Sequence, residues 1–322
     1  MTVPAPDLRA ALAPRRVLPA VLVALVCGGF VAAQSRLNGG LSVAGAGVLL
    51  ASLLSYVGTL ATSVLVIVLM GRARATATLL RRDSRWWWYA IGLFGIPIVL
   101  TMAAGVPILG VAIASVCSVA GQTLSGLALD ARGVGVPEAL RLNGRRVVAG
   151  VTAVAGLVIA VLAGSGGLTA DLATVVGLGV AVFVGGFTLA GQQAGNGKVT
   201  ALSGDPVVAG ITSSAGGTLG VALIVAAAAA TGNLDVALPP LADHWALYLG
   251  GPLGAGITIG AAWAVRHLGT FALTLAIVGG QMVTAVVIDL LGGIGVHGAT
   301  LLAATVIGLA TLLAVGRRRT PA

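Results

Sequence analysis

Charged residues are scarce in this chain of 322 residues. Only 8% of the residues are Asp, Glu, Lys or Arg, whereas 58% are hydrophobic. Soluble globular domains carry about 25% charged residues, so the composition excludes a soluble enzyme or a soluble binding domain. It is typical of a polytopic membrane protein, in which each helical span needs about 20 apolar residues to cross the hydrocarbon layer.

Glutamate and cysteine are nearly absent. The single glutamate, Glu138, falls in a segment between predicted spans, and the two cysteines, Cys27 and Cys117, fall inside spans without a partner at disulfide or metal-ligand spacing. The chain also lacks a Walker-type Gly-rich loop with Lys, a paired-His metal motif and a nucleophile–base constellation. We therefore predict no disulfide, no metal, no cofactor, no ATP-driven pumping and no enzyme activity.

Negative charge is rarer than positive charge, which leaves a net charge of +9. In a soluble protein this excess would indicate nucleic-acid binding, so the positions of the basic residues decide its meaning. Seventeen of the eighteen Lys and Arg residues fall on the same side of the predicted spans as the amino terminus, and only Arg36 falls on the other side. The positive-inside rule then predicts a bacterial-type inner membrane protein with both termini in the cytoplasm and no nucleic-acid partner.

Long hydrophobic runs predict ten membrane-spanning helices. The stretch 86–129 carries no charge and must hold two of them, and Gly and Pro favour a turn, so we place the break at Gly105, Val106 and Pro107. The predicted spans lie near 17–37, 43–70, 86–104, 108–128, 147–165, 172–191, 206–229, 245–265, 269–289 and 298–316.

The second half of the chain repeats the first. Gln34 and Asn38 recur 158 positions later as Gln192 and Asn196. Twelve more residues recur 159 positions later: Gly58, Thr59, Leu60, Trp86, Tyr89, Gly92, Gly95, Leu109, Gly110, Gly121, Gln122 and Asp130 match Gly217, Thr218, Leu219, Trp245, Tyr248, Gly251, Gly254, Leu268, Gly269, Gly280, Gln281 and Asp289.

The predicted fold is all-α, with two five-helix copies at 17–165 and 172–316. A short linker, 166–171, joins them, and cytoplasmic segments 1–16 and 317–322 lie outside them. Because five is an odd number, the copies insert in opposite orientations. Such an inverted repeat is typical of secondary transporters, which bind their cargo where the two copies meet.

The repeated motifs resemble the YdcZ-type family of inner-membrane exporters, a branch of the drug/metabolite transporter superfamily. This resemblance implies a ten-helix bundle in which spans one to four and six to nine surround a central cavity, and it implies transport without naming the cargo. Two departures distinguish the copies: Trp87 and Trp88 become Ala246 and Leu247, and Lys198 stands where the first copy has Gly40. The signatures are Gln34 with Asn38, Gly58 to Leu60, Trp86 to Tyr89, Gly121 with Gln122, and Asp130.

Gln122 and Gln281 are candidate substrate-binding residues. A primary amide inside a span needs hydrogen-bond partners, because an unpaired one costs roughly 2–7 kcal/mol. The amides either face a cavity and bind a polar cargo, or they bridge neighbouring helices. Their recurrence in both copies favours the cavity.

Two further pairs, Gln34 with Asn38 and Gln192 with Asn196, are also candidate substrate-binding residues. Each pair is four residues apart and therefore shares one face of a helix near a span end. The alternative for the Asn residues is a helix-terminating role before glycine, which we favour for Asn38 and Asn196.

The repeated aspartates differ in their surroundings. Asp130 stands beside Arg132, so we expect a solvated ion pair there. Asp289 has apolar neighbours and no local base, so it is the candidate for proton or cation coupling. The alternative for Asp289 is a position in water at the outer interface.

Together these features predict a secondary transporter in the lipid bilayer. It would export a small polar or weakly cationic organic compound by alternating access, driven by a proton or cation gradient. An uptake carrier or facilitator and a non-transporting membrane scaffold are the alternatives. One chain already contains both copies, so an oligomer is not required.

Overall fold

The computed structural model of the protein describes residues 17–134, 171–234 and 236–291, together with a few positions between 143 and 155 and between 302 and 306. The segments 1–16 and 317–322, the linker residues 166–170 and most of predicted spans five and ten lie outside the described residues. Within the described ranges every regular element is a helix.

The first half begins with two long helices, α1 (Val17–Leu41) and α2 (Gly47–Leu69), joined by the π-helical turn Ser42–Ala46. It continues with α3 (Ala73–Asp83), α4 (Trp86–Ala90), the 3₁₀ turn Ile91–Gly95 and α5 (Ile96–Ala131). The second half contains α6 (Leu172–Ser203), α7 (Pro206–Ala230), α8 (Leu241–His244), the 3₁₀ turn Trp245–Leu249, α9 (Gly250–Leu268) and α10 (Thr270–Leu291).

Five helical stretches among the described residues are long and apolar enough to cross a membrane. They are Val17–Leu69, Trp86–Val111, Leu172–Ser203, Pro206–Ala230 and Thr270–Ile288. Large apolar side chains remain exposed on their outer faces, as at Leu65, Val180 and Leu223, which suits hydrocarbon rather than water. The long helices coincide with predicted spans one to four and six to nine. The total of ten spans stays a prediction.

The break inside the stretch 86–129 lies at Gly110, so its predicted position at Gly105 to Pro107 is wrong. The helix continues through Pro107, and Gly110 has φ 76° and ψ 163°. Glycine adopts a positive φ without the steric cost of a Cβ atom, so the turn forms there. Gly269, its counterpart in the second copy, has φ 79° and ψ 163° between α9 and α10. The repeated Leu-Gly pair was the sequence signal for this turn.

Helices α1 and α6 run past the asparagines that were expected to end them. Asn38 lies three residues before the end of α1, and Asn196 lies seven residues before the end of α6. The real terminator of α6 is Gly204, in the left-handed conformation with φ 73°. The helix-terminating role of both asparagines is therefore wrong, because packing against neighbouring helices extends the helix beyond a local stop signal.

The first turn of α6 is fixed by its own cap. The Asp171 carboxylate accepts hydrogen bonds from the Thr174 backbone N–H at 2.9 Å and from the Thr174 hydroxyl at 2.7 Å. These bonds to the charged form lower the pKa of Asp171. The cap therefore contributes stability above the ordinary aspartate pKa and loses it as the pH falls through the lowered value.

Glycines allow the long helices of the two halves to pack closely. A Cβ atom on Gly121 in α5 would overlap the Phe183 carbonyl oxygen of α6, and one on Gly280 in α10 would overlap the Leu25 carbonyl oxygen of α1. These crossings correspond, since Gly121 matches Gly280 and Phe183 aligns with Leu25. Without a hydrophobic force between helices in lipid, such close backbone contact holds them together.

Candidate functional site

A cavity of about 100 Å³ lies among the long helices of both halves. It has room for several waters or one small organic molecule. No Asp, Glu, Lys or Arg is among the described residues that line it. Its polar lining residues are Gln34, Ser35, Asn38, Ser55, Tyr56, Thr59, Ser118, Gln192, Ser213, Ser214 and Thr258, and the remainder are Val31, Ile98, Val99, Met102, Leu189, Gly254 and Ile257.

Most of the lining consists of corresponding positions from the two copies. The matched positions are Val31 with Leu189, Gln34 with Gln192, Ser55 with Ser213, Ile98 with Ile257, and Val99 with Thr258. The first three pairs are 158 apart and the last two are 159 apart. The cavity therefore lies where the copies meet.

Gln34 is held by two hydrogen bonds from its amide nitrogen. The Nε2 atom donates to the Ser55 hydroxyl at 3.2 Å and to the Gly250 carbonyl oxygen at 2.9 Å. A carbonyl can only accept, so the nitrogen must face Gly250 and the Oε1 atom must point elsewhere. Asn38, one turn further along α1, donates from Nδ2 to the same Ser55 hydroxyl at 3.0 Å.

Gln192 repeats this arrangement in the second copy. Its Nε2 atom donates to the Ser213 hydroxyl at 2.9 Å, and the pair is separated by 21 residues as Gln34 and Ser55 are. Each amide also packs on a glycine of the other half. A Cβ atom would lie 2.6 Å from the Nε2 atom of Gln34 if added to Gly254, and 2.6 Å from that of Gln192 if added to Gly95.

Gln122 and Gln281 do not line the cavity. They are 2% and 0% exposed, and their Nε2 atoms donate to the Ser118 hydroxyl at 2.9 Å and to the Ser115 hydroxyl at 2.6 Å. Among the described residues, neither amide oxygen has a hydrogen-bond partner. Gln122 reaches the cavity indirectly, because Ser118 lines it. The assignment of both glutamines to the binding site stays a prediction.

The structure separates the two repeated asparagines. Both are buried, but Asn38 lines the cavity and Asn196 does not. Among the described residues the Oδ1 atom of Asn196 is buried without a hydrogen-bond partner. The first copy therefore contributes an Asn together with its Gln to the cavity, and the second copy contributes its Gln alone.

Asp130 is fully buried, so the expected solvated ion pair with Arg132 is wrong. Its carboxylate accepts hydrogen bonds from the backbone N–H groups of Thr270 at 2.8 Å and Phe271 at 3.1 Å. It thus caps the amino terminus of α10, where the helix dipole favours negative charge. Arg132 is exposed and donates to the Ala128 carbonyl oxygen. Asp289 lies in the last turn of α10 and its side chain is outside the described residues, so its coupling role stays a prediction.

Two charged contacts, which the sequence analysis missed, lie on the side where the arginines of α3 are found. Arg72 pairs with Asp205 at 2.8 Å, and the Asp205 carboxylate also accepts from the Val207 N–H at the start of α7. The Lys198 ammonium lies 5.4 Å from the centroid of the Trp87 ring, within cation–π range. Lys198 and Trp87 both depart from the repeat, and the two side chains contact each other. Their joint departure was the sequence signal that could have indicated this contact.

The fold and the cavity define a class: an all-helical membrane protein with an uncharged polar cavity between two related halves. A family model described as "Putative inner membrane exporter, YdcZ" matches residues 19–159 and again residues 178–316. The chain belongs to this family of inner-membrane exporters, and the two matches confirm the tandem duplication predicted from the repeated motifs.

A solved structure shares the overall fold. It is described only as "Crystal structure of protein", and it superposes with a TM-score of 0.64 over 95% of this chain and 96% of the other at 14% sequence identity. No curated protein sequence matches this chain. The structural likeness carries the fold alone.

Proposed function

We propose that this protein is a secondary exporter of a small polar or weakly cationic organic compound, and that it works by alternating access between two inverted five-helix copies. The observation that carries the proposal is the cavity lined by matched pairs of residues from both copies. A binding site at the interface of two repeats is the arrangement that secondary transporters use.

The contacts between the halves support the inverted arrangement. Gly58 packs on Gly251, and Gly92 packs on Gly217, which are the same two positions with the copies exchanged. A two-fold axis between the copies produces such pairs of contacts, because it repeats each contact with the first and second copies exchanged. With five spans in each copy, that axis would lie in the plane of the membrane.

The same symmetry supplies a mechanism. If each half can adopt the conformation of the other, exchanging the two conformations turns a cavity open to one side into a cavity open to the other. The matched residues keep the cavity lining similar in both states, so a cargo would remain bound during the exchange. Both termini would lie in the cytoplasm, on the side of the α3 arginines.

Gln122 and Gln281 remain substrate-binding candidates in this proposal. Each has a buried amide oxygen without a described partner, and a polar cargo or water that reaches it would relieve the cost of leaving it unpaired. Asp289 is the proposed carrier of the coupling proton or cation, because its neighbours in the sequence are apolar and include no base.

Transport by reconstituted protein tests the proposal. Proteoliposomes on a solid support are challenged with neutral and cationic small molecules at two pH gradients, and isotope flux on the same vesicles covers electroneutral transport. We expect a saturable signal that is lost when Gln34 and Gln192 are both replaced by Leu. Gln193→Leu is the matched control, since Gln193 is a buried neighbour of Gln192 that does not line the cavity.

Three results would contradict the proposal. Full transport by the double variant would remove the cavity glutamines from the cargo pathway. No current and no flux with any compound would favour the membrane scaffold. Net transport of the cargo toward the cytoplasmic side of the protein would show that it is an uptake carrier and not an exporter.

A further inference from the structure

The amide groups of the cavity use their two ends differently. The nitrogen atoms of Gln34, Asn38 and Gln192 all donate to protein groups: the Ser55 hydroxyl, the Gly250 carbonyl and the Ser213 hydroxyl. No hydrogen bond to the oxygen atom of any of the three is found among the described residues. The cavity thus keeps amide oxygens, which only accept, available to a ligand.

Glycines of the other half hold the amides in this orientation. The Oδ1 atom of Asn38 packs on Gly250, and the Gln34 and Gln192 amides pack on Gly254 and Gly95. Any side chain at these glycines would displace the amide that it contacts. The hydrogen bonds hold the donor ends, and the glycines let the oxygens of Asn38 and Gln192 approach the neighbouring helix without meeting a side chain.

The remaining polar lining groups are hydroxyls, which rotate and can donate or accept, so the amide oxygens are the groups in the lining that only accept. The lining hydroxyls of Ser55 and Ser213 already accept hydrogen bonds from the amides and keep one O–H donor each. No cationic side chain among the described residues lines the cavity. A carboxylate or phosphate on a cargo would find no counter-charge and would face amide oxygens, so burying it there would be costly.

We infer that the cavity selects a cargo that carries N–H donors and no negative charge, either a small organic ammonium or its neutral amide-type analogue. This inference rests on the proposed function and specifies its substrate class. The N–H groups bind the oxygens of Gln34, Asn38 and Gln192, and the carbon skeleton contacts Tyr56, Ile98 and Met102. An ammonium ion forms stronger hydrogen bonds to these oxygens than an amide does, because its donors are charged. These bonds must offset the cost of burying a cation where no described residue supplies a carboxylate.

Equilibrium binding to the purified full-length protein in nanodiscs tests the inference. Isothermal titration compares methylammonium, dimethylammonium, trimethylammonium and tetramethylammonium, which lose one N–H donor at each step while the charge stays the same. Acetamide and N,N-dimethylacetamide form the neutral arm, and acetate is the anion. We expect about tenfold weaker binding for each lost N–H that had bonded to an amide oxygen, and no binding of acetate.

Two variants connect the trend to named atoms. Gln192→Met removes the acceptor oxygen at nearly constant volume, and Gln193→Met makes the same change at the adjacent position outside the cavity. The ammonium series should flatten in the first variant and keep its slope in the second. Thermal unfolding of each variant verifies that it folds.

The outcomes separate this inference from the proposed function. Equal binding along the ammonium series, tighter binding of acetate, or no binding by any compound would overturn the inference. Transport of an unrelated cargo together with such a result would leave the exporter standing. A steep ammonium series in a protein without flux would support the inference and overturn the transport proposal.

Discussion

Replacing a crossing glycine by alanine tests whether the two halves pack as described. A Cβ atom on Gly121 would overlap the Phe183 carbonyl oxygen, and one on Gly186 would overlap the Ser118 carbonyl oxygen. Backbone atoms cannot rotate away as a side chain can, so α5 and α6 would have to separate. Overpacking of this kind costs about 1–3 kcal/mol in the free energy of unfolding.

The matched control is Gly177, an exposed glycine in the second turn of α6. A Cβ atom there would meet nothing within 4 Å. Gly177→Ala should therefore stabilise the protein by about 0.5–1 kcal/mol, because alanine is the better helix former. The free energies of unfolding of the two kinds of variant are therefore expected to differ by about 1.5–4 kcal/mol, one falling below and the other rising above that of the parent protein.

Thermal unfolding of purified protein in one detergent, followed by tryptophan fluorescence at a fixed scan rate, measures the difference. Gly28→Ala and Gly280→Ala should cost about as much as Gly186→Ala and Gly121→Ala, because they occupy the corresponding positions between α1 and α10. If Gly121→Ala and Gly177→Ala unfold at the same temperature, the close crossing is refuted. If the two crossings respond very differently, the halves do not pack alike.

The other predictions concern charged residues. Asp130→Ala should destabilise the protein by about 1–3 kcal/mol, since it leaves the N–H groups of Thr270 and Phe271 buried without an acceptor; an unchanged unfolding temperature would contradict the cap. Arg72→Gln should cost less, about 1 kcal/mol, because Arg72 is 46% exposed, and a loss independent of salt would contradict an ion pair. Asp289→Asn should uncouple flux from the pH gradient, and an unaltered pH dependence would exclude Asp289 as the proton carrier.

The helical class and the duplication could be predicted from the sequence because both depend on repeated local signals. Apolar runs place the long helices, and short motifs such as Gly121 with Gln122 survive in both copies. The family match confirms the duplication over most of the chain. Boundaries were less predictable: Gly105 and Pro107 are ordinary turn signals, yet the turn formed at Gly110, where the backbone needs a positive φ.

The site depended on contacts that no local pattern reveals. Asp130 accepts hydrogen bonds from backbone N–H groups 140 and 141 residues later in the chain. The sequence instead suggested its near neighbour Arg132 as the partner. Helical spacing shows that Gln34 and Asn38 share a face, but not whether that face meets a cavity or another helix. Gln122 has the same chemistry as Gln34 and lies outside the cavity, because neighbouring helices decide which amides are enclosed.

The contacts of Lys198 with Trp87 and of Arg72 with Asp205 have a consequence for the origin of transport direction. Their counterparts, Gly40 with Ala246 and Thr231 with Gly47, carry no charge, so under the proposed inverted arrangement these positions form no equivalent contact on the opposite side. A pair of identical five-span chains would carry every such contact on both sides. In one chain that contains both copies, under the proposed inverted arrangement, a single substitution can strengthen the contacts between helices on one side alone. Duplication followed by divergence would thus let selection set the resting state of the carrier independently of its cargo site.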